Sequence, residues 1–188
     1  MVMDTIELLG NKREGASPMI VSKARWAVIA AVLPLGVLAA PLPALADAVS
    51  APYTCTSILG TDAVTITGDL VADPNPASAG SPVAFDLTVT DLGITAPLRI
   101  KSWSGTAVLQ VSGAETGSFT LAGSGGAIPA GDPITGELSG SWTPSVAGTD
   151  TITGGAVDIT ADVQLIGSVK LACTPDAGQP AAATLTVN

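Results

Sequence analysis

Cys55 in "YTCT" and Cys173 in "LACTP" are the only two thiols in a chain of 188 residues that has no histidine. Without imidazole there is no Ser-His-Asp or Cys-His nucleophile system, no histidine general base and no imidazole metal ligand. Neither cysteine has a CxxC partner, so the spacings of zinc sites and thioredoxin-type redox sites are missing. What remains for catalysis is carboxylate chemistry. Asp158 and Asp162 share one face of an alternating run. Four residues of strand set them ~13 Å apart, beyond the ~5–9.5 Å of a paired glycosidase site. Only a cross-strand partner could supply the shorter distance, and the plainer reading of both is a solvated face.

Oxygen ligands from loops would suit calcium. Asp73, Asn75, Asp132 and Asp150 all fall in turn-like segments, yet no D-x-D-x-D-G loop occurs. Asp and Asn also favour turns for backbone reasons alone. Sugar binding would need exposed aromatic platforms, and Trp103 and Trp142 are the possible ligand-contact residues. Trp103 shares its alternation with Gly105, Ala107, Leu109 and Val111, and Trp142 with Leu138 and Gly140. Those neighbours look inward, which favours core filling for both indoles. Arg99 and Lys101 form a basic pair that flanks a strand, and "GSGG" (123–126) lacks the helix a phosphate loop needs.

The elements that would position these residues are strands. In "VAFDLTV" (83–89), Val83, Phe85, Leu87 and Val89 face one way and Ala84, Asp86 and Thr88 the other. "AVDITADVQL" (156–165) repeats the pattern, with Val157, Ile159, Ala161, Val163 and Leu165 on the apolar side. Val64, Ile66 and Leu70 alternate with Thr65, Thr67 and Asp69, and "ATLTV" (183–187) reads as a last strand. Turn clusters at 73–82, 123–133 and 143–150 separate the runs, and helix signals are nearly absent. Eight or nine strands with one wet and one dry face are expected for an antiparallel β-sandwich.

The N-terminus predicts export. Lys12, Arg13, Lys23 and Arg25 precede the apolar run "WAVIAAVLPLGVLAA" (26–40), and Ala44 and Ala46 form an A-x-A site. Pro34, Pro41 and Pro43 interrupt a run already short of the ~20 apolar residues of a membrane span. Residues 1–46 therefore read as a signal peptide, with Met19 as a possible true start, and 47–188 as a single secreted domain. The leader carries four basic and three acidic residues of the chain's 7 and 16. The mature part is thus left with three and thirteen, a net charge of −10. Such a surface keeps the protein in solution and repels nucleic acid and anionic lipid.

In an oxidising compartment two cysteines pair, so Cys173 ties the end of the domain to its beginning at Cys55. The leader, "YTCT" soon after the cleavage site, the Thr/Ala/Gly-rich body and the late "LACTP" together resemble a group of exported actinobacterial two-cysteine domains of uncharacterised function. The resemblance implies secretion, an immunoglobulin-like β-sandwich and a disulfide, and it brings no catalytic residues. True immunoglobulin domains bracket a shorter core segment with their cysteines, so the strand order stays open.

The leading expectation is a secreted, non-catalytic module without a cofactor, acting on an extracellular or cell-envelope partner. The alternative is a carbohydrate- or calcium-binding accessory domain. Export with cleavage between Ala46 and Asp47 is testable by N-terminal sequencing of protein from culture medium. Finding residues 26–46 retained on membrane-bound material would refute it.

Overall fold

The computed structural model describes residues 48–188; the expected leader lies outside the described residues. Nine strands follow one another: β1 (Val49–Ser57), β2 (Gly60–Asp73), β3 (Val83–Asp91), β4 (Ile100–Gly113), β5 (Gly117–Gly125), β6 (Gly136–Trp142), β7 (Gly148–Val163), β8 (Gly167–Pro175) and β9 (Ala181–Val187). All pair antiparallel, and Cys55 is disulfide-bonded to Cys173. The all-β class and the single bridge are as expected. Among the described residues no helix is long and apolar enough to cross a membrane.

Alternation decides which face each strand buries. On β3, Val83 and Phe85 are buried and Leu87 and Val89 half-buried, while Ala84, Asp86 and Thr88 are exposed. Threonine fills many outward positions, where a β-branched side chain suits the pleat and its hydroxyl meets water. Thr56 and Thr61, for instance, join hydroxyls across β1 and β2 at 3.0 Å.

The connectivity adds what alternation cannot show. The hydrogen-bonded order is β4-β5-β6-β3-β2-β1-β8-β7-β9, and β4 also pairs with β7. Ile100 to Gly113 on β4 run opposite Val163 to Asp150 on β7. The layers expected for a sandwich are thus parts of one sheet that closes on itself as an eight-stranded barrel. The long β7 serves two neighbours on its other side: its Val157–Val163 part pairs with β8 and its Gly148–Thr153 part with β9.

Bulges keep the apolar side chains inside despite this double duty. Asp150 and Ile152 are buried at even positions of β7, whereas Val157, Ile159 and Val163 face inward at odd ones. The register shift opposite Ala107 and Leu109, around Gly154 and Gly155, changes the parity.

Two strands are longer than their sequences suggest, because tertiary pairing overrides turn-like composition. β5 continues through the glycines of "GSG" to Gly125, where an added Cβ would meet the indole of Trp103. β7 begins at Gly148, inside a stretch that reads as a turn, since β4 and β9 both pair with it there. Leu165 departs from the alternating run. The strand ends at Val163, and Leu165 sits in the β7–β8 turn at φ 73° with 90% of its surface exposed.

One end of the barrel is filled. Leu70, Phe85, Leu109, Phe119, Leu121 and Ile152 form the centre of the largest apolar cluster. The rings of Phe85 and Phe119 lie 4.6 Å apart, and Trp142 stacks on Phe119 at 5.8 Å. Such aromatic packing adds to area burial.

Cys55 and Cys173 face each other across β1 and β8, 118 residues apart in the chain. Replacing both with alanine is expected to lower the unfolding free energy by about 2–5 kcal/mol. Urea denaturation of the two forms measures this; coincident midpoints would contradict it.

Candidate functional site

The other end of the barrel is hollow. Inward positions there alternate apolar residues with small ones: Ala51, Gly105, Gly136 and Ala161 stand among Ile66, Val157, Ile159 and Leu171. The result is a cavity of about 200 Å³, lined almost wholly by apolar side chains drawn from β1 to β4 and β6 to β8. Leu87, Val89, Val157, Ile159 and Leu171 point inward yet stay only half-buried, because they face space instead of one another. A completely packed core would bury them.

Trp103 belongs to this wall. Its indole lies over Gly125 and Gly136, where any side chain would collide with the ring, and it borders the cavity. The glycines of β5 and β6 therefore hold the indole flat against the sheet. Trp142 goes elsewhere: it packs in the filled end, and its Nε1 donates to Glu115 Oε1 at 3.3 Å. Of the two tryptophans, only Trp103 is placed to touch a ligand in the cavity.

Four connections gather at one end of the cavity, here called the mouth. The β3–β4 and β5–β6 loops are laced together: Leu92 N–H donates to Ile134 O, Ile134 N–H to Ile94 O, and Ala96 N–H to Asp132 O. Opposite them stand the β1–β2 and β7–β8 hairpin tips. Leu59 and Ile166 reach from these tips into the lining. Ile58 is 72% exposed and Leu59 66%.

Two polar side chains stand at the end of the lining away from the mouth. Tyr53 is buried, with its hydroxyl against Gly154, and burial raises its pKa above the ordinary value near 10. Gln179 is held by Nε2, which donates to Pro52 O at 2.6 Å and Asp176 O at 3.2 Å. Its Oε1 is buried without a partner among the described residues.

The acidic candidates do not converge. Asp158 and Asp162 lie on the outer side of β7, and Asp162 pairs with Lys101 Nζ at 3.3 Å. Asp132 sits in a mouth loop, whereas Asp73 and Asp150 belong to the filled end. Asn75 is engaged with β9, accepting from Thr186 N–H and donating to Thr184 O. Asp150 is fully buried and structural, its Oδ1 accepting from Glu115 N–H at 3.0 Å. Among the described residues no three carboxylates or thiols are grouped to hold a metal ion.

The mouth was the part that sequence reasoning missed. Its signal lies in the two hairpin tips, "SILG" (57–60) and "QLIG" (164–167). Each puts a pair of large apolar residues where turn chemistry favours polar ones.

No family model and no curated protein matches the chain. One solved structure, a proposed membrane-anchored protein from Corynebacterium diphtheriae, aligns at 18% identity and a TM-score of 0.43. The alignment covers 76% of this chain and 38% of that one, a likeness too distant to transfer fold or function.

Tyr53 is the chain's single tyrosine, so phenolate absorbance reports on it alone. The folded protein is expected to titrate above pH 10, and the unfolded protein near it. Between those values the unfolded state binds fewer protons, so stability is complete below pH 10 and falls as pH climbs towards Tyr53's raised value. Coincident titrations of native and urea-unfolded protein would show that the hydroxyl is not buried.

Proposed function

We propose that this is an exported, non-catalytic binding module that holds an apolar ligand inside its barrel. One observation carries the reading: an apolar cavity is enclosed by strands whose outer positions are polar. Cavities of this chemistry stay dry and take up apolar molecules. The ligand class is a hydrocarbon chain or ring system, with Trp103 as a contact face. Tyr53 and Gln179 offer polar partners to whatever group lies deepest.

The disulfide supports an extracellular or cell-envelope location, because such bonds persist where the compartment is oxidising. The lining argues for an apolar ligand over a sugar: glycan sites expose aromatic platforms beside many hydrogen-bonding groups, and here Trp103 sits within a hydrocarbon wall.

Titration with a neutral fluorescent probe such as N-phenyl-1-naphthylamine tests the proposal. Saturable enhancement is expected, together with a change in Trp103 emission that persists in Trp142→Phe. Ile159→Trp should fill the space, tolerate folding and weaken the probe by about tenfold or more. Absence of saturable binding to the wild-type protein would refute the reading.

A further inference from the structure

The deep end of the cavity holds an unbalanced set of hydrogen-bonding groups. Gln179 Nε2 carries two protons, and both are engaged, on Pro52 O at 2.6 Å and Asp176 O at 3.2 Å. Those bonds fix the orientation of the amide, because a flipped amide would set its oxygen against two carbonyl oxygens. Oε1 is therefore the atom left over, an acceptor that is buried without a partner among the described residues. Tyr53 brings its hydroxyl to the same place. Gly154 makes room for both: a Cβ there would overlap the Tyr53 hydroxyl and lie 3.4 Å from Gln179 Oε1.

Two oxygens thus share the one proton of the Tyr53 hydroxyl. If it turns to Gln179, the Tyr53 oxygen presents only its lone pairs to the cavity. If it turns to the cavity, Oε1 is left as a buried unsatisfied acceptor, which is costly. In both arrangements the missing part is a donor. The other side-chain donors of the lining stand elsewhere. Ser57 and Thr135 belong to the mouth, where Ser57 Oγ accepts from Leu59 N–H at 3.1 Å, and Trp103 Nε1 lies over Gly125. The lining also contains no Lys, Arg, Asp or Glu, so a charged head group would be buried without a counter-ion.

We propose that the cavity takes a neutral amphiphile whose hydroxyl lies at the deep end, against Tyr53 and Gln179, with its hydrocarbon tail running towards the mouth. A hydroxyl both donates and accepts, so it supplies the missing proton and takes one in return. An ether only accepts and leaves one of the two oxygens short; a carboxylate does the same and adds a charge. Sites of this kind discriminate through the buried polar groups that a wrong ligand leaves unpaired. The place of the hydroxyl rests on the cavity holding an apolar molecule, as proposed above.

Displacement of N-phenyl-1-naphthylamine by ten-carbon competitors tests the proposal. 1-Decanol is expected to compete at about tenfold lower concentration than its isomer 1-methoxynonane, which has the same atoms and no donor. Decanoate at pH 7.5 should be weaker than the alcohol by about tenfold or more, and should gain as pH falls towards 5 and its carboxyl takes up a proton. Tyr53→Phe removes only the hydroxyl; it should weaken decanol by about tenfold and leave the ether nearly unchanged. Gln179→Met removes the orphan acceptor and frees the Tyr53 proton for the ligand, so the preference for alcohol over ether should vanish. Circular dichroism and melting temperature check that both variants fold; should Gln179→Met fail to, Tyr53→Phe decides alone. Equal displacement by alcohol and ether in the wild type would overturn the proposal, while saturable binding of the probe itself kept the cavity reading. So would decanoate matching decanol at pH 7.5, or a decanol affinity untouched by Tyr53→Phe. Failure of the probe to bind saturably would remove the cavity reading and the hydroxyl assignment with it.

Discussion

The pairing of β4 with β7 is the constraint on which the rest of the structure depends. Without it the sheet would have free edges, which invite pairing with other chains. With it, the same two strands bring the apolar faces of the whole sheet around a common interior. Many outward positions then meet water, as Ala84, Asp86 and Thr88 do on β3. The cavity is a consequence of closure, since a ring of eight strands leaves an interior that side chains may or may not fill.

Filling is decided by residue size along the barrel. Towards β9 the interior receives Phe85, Phe119 and Trp142, and the buried carboxylate of Asp150 fixes the β4–β5 turn through Glu115. Glu115 in turn accepts from Trp142 Nε1 and from Ser145 N–H and Oγ–H, so one acidic side chain joins the β4–β5 turn to the β6–β7 loop. Towards the mouth, glycine and alanine alternate with branched aliphatics and the walls do not meet. Side chains that border space forfeit dispersion contacts, so the hollow end is the less stable half by itself. The disulfide between β1 and β8 lies at that half, and the laced mouth loops brace its opposite side. A ligand that fills the interior would add stability by binding the folded state alone.

The outer charge and the inner chemistry are independent of one another. Closure allows an acidic, hydrophilic exterior to enclose a hydrocarbon lining, because successive residues of a strand point to opposite sides. It also concentrates at the two ends whatever the turns contain. At one end those are the long β2–β3 loop and the β4–β5, β6–β7 and β8–β9 connections; at the other they include "SILG" and "QLIG", which leave large apolar residues in the open.

Much of this was legible in the sequence, and what was not has a common cause. The period of two in "VAFDLTV" and "AVDITADVQL" places Phe85 and Val157 on apolar faces wherever those faces go. The absence of histidine removes imidazole chemistry, and the two cysteines, expected to pair in an oxidising compartment, do pair. Those conclusions depend only on residue type and local spacing. The strand status of "GSG" at 123–125 and of Gly148–Asp150 depends on partners elsewhere in the chain, and composition alone reads them as turns. The assignment of Trp103 to a cavity wall and Trp142 to a filled core has the same origin. Both follow identical alternation rules, and they differ only in what stands across the barrel from them. Alternation tells which side chains share a face; only the non-local pairing of β4 with β7 decides what that face encloses.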